Sequence, residues 1–208
     1  VATNRERALE TAVQLLGTEG LRALTHARID ERAGLPKGST SNYFRTRAAL
    51  LNGVVEAMVR RETPAMGAAL EAATPQDLVD ELVRVYEFLV GPNRVMTTAR
   101  MVLFVEASHD PDLREALRSG RSTFADLLRP VLGRLGAPNP ATATDAMVVC
   151  FEGLFMHHIA RHSEVDARAV IEIFVRGLFG RQTSPPAPGR SPTRTRIQDA
   201  TSPGASSA

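Results

Sequence analysis

Between Pro36 and Tyr43 the chain reads Lys37, Gly38, Ser39, Thr40, Ser41, Asn42: one ammonium, three hydroxyls and one carboxamide, with no large apolar side chain before the tyrosine. Side chains of this kind suit the donor and acceptor edges of bases. Lys37 can donate to a guanine O6/N7 pair, and Asn42 or Ser39 can bond base edges. Thr25, Tyr43 and Arg47 carry groups that grip phosphates, and His26 and Arg28 are placed to add backbone contacts. Other reactive residue types are thinner. His158 and His162 stand four apart with His157 adjacent, and Glu106, His109 and Asp110 form a second polar group, spacings that can hold a metal ion. The histidine pair has no Cys or carboxylate at a fixed offset, so interface or helix-terminal roles suit the histidines better, and no metal or other cofactor is expected. Cys150 and His157 lie seven apart on one predicted helix, roughly 10 Å, too far for a nucleophile and its base. Cys150, in VVCFE, reads as a small core hydrophobe. No Ser-His-Asp set, Gly-rich phosphate loop or paired carboxylates are present, so no enzymatic activity is expected.

The elements that must position the polar run follow from its flanks. Thr25 can N-cap a helix, Ile29 and Ala33 share one face of it, and Gly34 stands where a helix end wants a residue tolerant of positive φ. Leu35 leads into Pro36, whose fixed φ suits a first helical turn, so a second helix is predicted over Pro36 to Tyr43. A helix this poor in apolar residues is not held by burial. It reads as a surface offered to a polar partner, anchored at its ends and by Phe44. A helix, a short turn with Gly and a second polar helix make a helix-turn-helix, whose second helix enters a DNA major groove. Spacing alone leaves a generic helical hairpin equally open.

The run T25-x3-I29-x3-A33-G34-L35-x2-G38-x4-Y43-F44-x2-R47-x2-L50-L51 resembles the N-terminal signature of TetR-type (tetracycline-repressor-like) transcriptional regulators, T-x3-IA-x2-AG-V-S-x-G-T-L-Y-x-Y/H-F-x-S-K-x-x-L. The match at Gly38, Tyr43-Phe44 and Arg47 moves the reading to DNA binding. The resemblance implies that Lys37, Ser39 and Asn42 face the groove, Tyr43 and Arg47 the backbone, and that Phe44 is the apolar lock. Three departures are noted: Pro36 replaces an N-cap Ser, Thr40 a core Leu, and Ser41 a Tyr that in the family often touches phosphate. The signature covers about the first quarter of the chain, and helix count and length extend the likeness loosely to about residue 180.

The chain has 208 residues, 43% apolar and 23% charged, ordinary for a soluble globular protein. Residues 1–50 carry eight Lys and Arg against five Asp and Glu, residues 51–180 thirteen against seventeen, and residues 181–208 four against one. A basic head on an acidic body fits DNA contact confined to the N-terminus. No apolar run approaches the ~18 residues of a spanning helix, and the first twenty residues have no apolar signal core, so a cytoplasmic protein with no membrane partner is expected. A single cysteine excludes an intramolecular disulfide and fits a reducing compartment.

An all-α fold is predicted, with a helix-turn-helix head over 1–46, a helical effector-binding and dimerisation body over 47–180, and a disordered tail over 181–208. Helix 1 spans about Asn4 to Thr18 and Gly20 stops it. A long helix starts near Thr46, with Pro64 kinking or ending it. Further helices follow over Pro75 to Val90, Asn93 to Ser108, Asp112 to Leu135 (broken or bent at Gly120 and Pro130), Ala141 to His162, and from a Ser163 cap to about Phe179. Met101 to Val105, apolar all round, is expected buried. The tail, rich in Pro, Ser, Thr and Gly, buries too little to offset its ordering entropy; its Pro185-Pro186-Ala187-Pro188 run offers a polyproline ligand as the alternative to a solvated tail.

Met147, Phe151, Leu154, Phe155, His158 and Ile159 form one wide apolar face, and Ile171, Phe174, Val175, Leu178 and Phe179 another. Gly153 and Gly177 permit close backbone approach. Either the faces complete the core or, as the resemblance favours, they build a four-helix homodimer interface; both hold if different sides are used. The resemblance also implies a small-molecule effector pocket, with Met96, Arg100, Phe104, Phe124, Met147 and Phe151 as candidate lining and Arg100 suited to an acidic or polar group on a largely apolar ligand. The expectation is a ligand-responsive regulator binding a double-stranded DNA operator, a repressor released by a small molecule. The alternative is a small-molecule or metal sensor whose output is a protein partner.

Overall fold

The computed structural model describes residues 2–67 and 71–179, without the side chains of 63–67 and 119–123. All regular structure among the described residues is helical. The elements are α1 (Asn4–Glu19), a 3-10 turn (Leu21–Ala23), α2 (His26–Ala33), α3 (Ser39–Tyr43), α4 (Arg47–Gly67), α5 (Pro75–Val90), α6 (Arg94–Glu106), α7 (Pro111–Arg134), α8 (Pro140–Phe155), a π turn (Met156–Ala160) and α9 (Ala167–Phe179). Among the described residues no helix is long and apolar enough to cross a membrane.

The helix starts share a simple chemistry. Thr3 and Glu6 close a capping box at α1, and Thr74 and Asp77 close another at α5. Thr74, Asp110 and Asn139 each cap a helix whose first residue is a proline, Pro75, Pro111 and Pro140. The side-chain oxygen satisfies an orphan N–H, and the proline has none to satisfy at that position.

Two apolar clusters hold the chain. The first gathers α1, α2, Phe44, α4, α6 and the start of α7, with Leu9, Leu16, Ile29, Leu50 and Leu103 almost wholly buried. It therefore runs across residue 46, where the sequence suggested a boundary between head and body. The second gathers α5, the C-terminal part of α7, α8 and α9 around Leu78, Leu82, Leu128 and Ile171. Each such side chain stabilises the fold by about 1.5–3 kcal/mol relative to exposure.

The first cluster depends on one close approach. A Cβ at Gly17 on α1 would lie 2.1 Å from the Val95 carbonyl oxygen on α6, backbone against backbone. Gly17→Ala should therefore push α1 and α6 apart and cost roughly 1–3 kcal/mol, read as a lower urea midpoint at unchanged slope. An unchanged midpoint would show that the two helices are not held at this separation.

Several expectations are corrected. The polar helix begins at Ser39, not Pro36, because Gly38 has φ +86°, a left-handed conformation that interrupts helix and places Pro36 and Lys37 in the turn. α4 continues past Pro64 to Gly67, and α7 is helical without a break through Gly120 and Pro130. Around Pro130 the buried Leu128, Val131 and Leu132 hold α7 despite the missing N–H. Asp166, not Ser163, caps α9, accepting from Ala169 N at 3.0 Å. The Ser163 hydroxyl instead donates to the His157 carbonyl at 3.1 Å and lies 3.0 Å from His157 Nδ1.

Within Met101–Val105 only Leu103 is buried, and Val105 is 68% exposed. On α8, Met147, Phe151, Leu154 and Phe155 face the subunit's own core, as does Ile159 in the π turn, and so do Ile171 and Val175 on α9. The outward apolar residues are Val149, Ile173 and Phe174, with Gly153 and Gly177 beside open space. His158 packs edge-on against the buried Tyr86. Among the described residues no group of three or more His, Cys, Asp or Glu side chains is placed to hold a metal ion. Burial pushes the Cys150 thiol up to about 11, so it is protonated at neutral pH and is no nucleophile. The proposed disordered tail and its proline run lie outside the described residues.

Candidate nucleic-acid interface and internal cavity

The helix-turn-helix is built from its caps inward. Thr25 Oγ1 accepts from Arg28 N at 3.3 Å at the start of α2, and Gly34, at φ +61°, ends the helix in the left-handed conformation. The turn then meets Asp30, which is only 4% exposed. One carboxylate oxygen accepts from Gly38 N at 2.7 Å, and the other from Thr40 N at 2.8 Å and Thr40 Oγ1 at 2.5 Å. A side chain of α2 thus caps α3, whose own N-cap residue, Gly38, has no side-chain oxygen to offer. Burial pushes the Asp30 pKa up, but the hydrogen bonds from Thr40 and Gly38, with nearby His26, outweigh it and hold the carboxyl below the usual aspartate range.

The far end of α3 is fixed through Phe44. Its ring is buried, sits where a Cβ on Gly53 would collide with it, and lies beneath the Arg5 guanidinium at 5.2 Å. Its carbonyl oxygen is 2.7 Å from His26 Nε2, and since a carbonyl only accepts, Nε2 carries the hydrogen and donates. His26 is therefore a clasp between the start of α2 and the end of α3.

On the outer side Lys37, Ser41, Asn42, Tyr43 and Arg47 are exposed, with Thr25 beside them. Ser39 and Ser41 donate their hydroxyls to the carbonyls of Pro36, at 2.6 Å, and Gly38, at 2.8 Å, so each faces outward chiefly as an acceptor. Arg47 Nη1 reaches the Leu24 carbonyl at 3.5 Å. Arg28 is engaged by Glu19, which also pairs with Arg32 at 2.9 Å. The arrangement can present hydrogen-bonding groups to base edges from a short helix, with hydroxyl and guanidinium groups around it for phosphates.

Asp30 was missed in the sequence. It stands where the family signature has Ala, a polar-for-apolar departure like that of Thr40 for Leu. Two polar residues at two apolar positions ten apart were the available signal, and the fold joins them.

A cavity of about 340 Å³ lies between α4, α5, α6, α7 and α8. The structure brings Arg100, Phe104, Phe124 and Phe151 together on its wall. It does not bring Met96, which packs toward α1 in the first cluster, or Met147, which is fully buried in the second. Glu62 of α4 is also on the wall, pairs with Arg100, and accepts from Asn93 Nδ2 at 3.0 Å.

A turn held by a buried carboxylate and displaying a short polar helix, fixed to an all-helical body, defines a helix-turn-helix DNA-binding protein. Residues 8–54 match the family of bacterial regulatory proteins named tetR, and residues 73–181 match the tetracyclin repressor-like C-terminal domain. The chain belongs to the TetR family and is a DNA-binding transcriptional regulator, not an enzyme. It is 25% identical over 175 residues to the HTH-type transcriptional regulator BetI of Rhizobium meliloti (strain 1021), covering 81% of this chain and 84% of that one. Among solved structures, SCO7518 of Streptomyces coelicolor A3(2) superposes with a TM-score of 0.69 at 20% identity, over 84% of this chain and 98% of that one. The multidrug binding protein EbrR complexed with ethidium superposes with a TM-score of 0.67 at 23% identity, over 85% and 99%.

Proposed function

We propose that this chain is a cytoplasmic homodimeric repressor that leaves its operator when a small molecule fills the cavity between α4 and α8. The observation that carries this reading is the two-sided use of α6. Met96, Ala99 and Leu103 pack with α1 of the head, while Arg100, Met101 and Phe104 face the cavity. An occupant that shifts α6 therefore acts on α1 directly, and through Glu62 on α4, the helix that leads out of the head. Release requires the occupant to bind the relaxed head spacing more tightly than the DNA-competent one, since equal affinity shifts nothing. EbrR, of the same fold, takes ethidium, which supports a cavity of this kind as an effector site. Residues 1–46 then act as the DNA-reading head and 47–180 as the sensing and pairing body.

In the head, Lys37, Ser39 and Asn42 read bases and Thr25, Ser41, Tyr43 and Arg47 hold phosphates. Gly38 supplies the turn, and His26 and Arg28 support the frame more than they contact DNA, because both are already engaged. Pairing uses the outward faces of α8 and α9, where Val149, Ile173 and Phe174 stand exposed beside Gly153 and Gly177.

A mobility-shift titration at two salt concentrations tests the head. Binding should weaken as salt rises, Lys37→Ala should relax base preference at a cost of about 1–3 kcal/mol, and Arg47→Ala should weaken all sequences alike. Equal effects of both substitutions on specificity would undo the assignment of roles. Absence of binding to any fragment of the source genome would favour a sensor that acts through a protein partner.

A further inference from the structure

We infer that the cavity's ligand is an uncharged, flat apolar molecule carrying one hydrogen-bond acceptor, such as an aromatic ketone or quinone, received by Arg100; this rests on the reading of the cavity as the effector site. The walls are mostly apolar, with Phe104, Phe124 and Phe151 and the thioethers of Met58 and Met101 among them. Phenylalanine rings on several sides of this apolar surface suit a planar apolar body. What remains is the polar pole, where Glu62, Thr97 and Arg100 meet.

The hydrogen-bond donors left open at that pole belong to one side chain. Thr97 spends its hydroxyl on the carbonyls of Leu89, at 2.7 Å, and Asn93, at 3.2 Å. Both oxygens of Glu62 already hold donors, Asn93 Nδ2 on one and Arg100 Nη2 on the other. Arg100 has five N–H groups, and among the described residues only its Nη2 donates. The guanidinium is mostly buried on a wall that is otherwise largely apolar, where an acceptor for its remaining N–H groups is worth more than in water.

Charge then decides between acceptors. The Arg100 charge is balanced by Glu62, and Glu152, the other carboxylate on the wall, already has an interaction partner of its own. An anion would gain little from a guanidinium already neutralised and would give up its hydration on entering a largely apolar wall. A cation would have to win Glu62 from Arg100 and leave the guanidinium without its counter-charge in an apolar wall. A neutral acceptor leaves the ion pair intact and uses the donors it does not.

The test uses four tricyclic probes with the full chain, by calorimetry: fluorene, 9-fluorenone, fluorene-9-carboxylate and proflavin. Fluorenone should bind about tenfold or more tighter than fluorene, as expected for a hydrogen bond to a charged donor in a desolvated site. It should also exceed the carboxylate and proflavin. Arg100→Met alone strands the Glu62 charge, so the informative variant is Glu62→Gln with Arg100→Met, which should bind fluorene as before and lose the ketone preference. Tighter binding of the carboxylate or of proflavin would overturn the inference. So would a ketone preference that persists in the double variant. Fluorene bound without any ketone preference would sink this inference alone, whereas failure of all four probes would remove the cavity as an effector site and the inference with it.

Discussion

Asp30→Ala should abolish operator binding while leaving the body of the protein folded. The substitution strips the buried N–H groups of Gly38 and Thr40 and the Thr40 hydroxyl of their shared acceptor, and a short helix of five residues has little else to hold its first turn. Leaving such buried donors unmatched costs about 2–3 kcal/mol, enough to melt α3 locally in the native protein. Hydrogen exchange should show protection lost over residues 38–44 and kept in α5 and α8. Thr40→Leu alone should be nearly as damaging, because it leaves the carboxylate facing a leucine. The pair Asp30→Ala with Thr40→Leu, which brings back the apolar couple of the family signature, should recover part of the loss, so the double substitution costs less than the two singles added. Additive costs would show that the two residues do not act as a unit. The same carboxylate sets an acid limit. Its folded pKa lies below its unfolded value, so its contribution is complete above the ordinary aspartate range and is lost as the pH falls through the depressed folded value. DNA binding should consequently be insensitive to Asp30 titration near neutrality.

Ile173→Arg should convert the protein to a folded monomer and weaken operator binding by roughly 100-fold or more, since joining two heads turns the second contact into an intramolecular one. Ile173 is 68% exposed on α9 and Val149 63% exposed on α8, a combination hard to explain unless another surface covers them. Gly153 and Gly177 lie beside open space, so backbones of a second copy can come close there. The charge would be harmless on a free surface and severe inside a two-fold interface, where it meets its own copy. Light scattering should report half the native mass with an unchanged helical spectrum. A native mass in the variant would move the pairing surface elsewhere.

The frame of the head was legible because its signals are local. Thr25 and Gly34 act on their own helix ends, and a cap is readable from one residue and its neighbours. The start of α3 was not, because its cap comes from Asp30 on the preceding helix and because Gly38, a left-handed turn residue here, is equally acceptable inside a sequence pattern. Periodicity left α8 undecided. It is apolar nearly all round, so the spacing of Met147, Phe151 and Leu154 marks a face without saying whether that face meets the same chain or another. For α6, one turn separates Met96 from Arg100, and which of them meets the cavity depends on where α1 lies, a relation between residues some eighty apart that no local pattern carries. Glu62 was overlooked for the same reason: it becomes a cavity residue only once α6 is laid against α4.

The central claim is that the exposed surface from Lys37 to Tyr43, doubled by pairing of α8 and α9, reads DNA. Its most direct test is in vitro selection of genomic fragments bound by the native protein and by the Lys37→Ala, Asn42→Ala variant. The native protein should enrich fragments sharing an inverted repeat whose half-sites are about one helical turn, or a multiple of it, apart, and the variant should lose that motif while keeping weak salt-sensitive binding. An identical motif from the variant, or a native motif without two-fold symmetry, would contradict it.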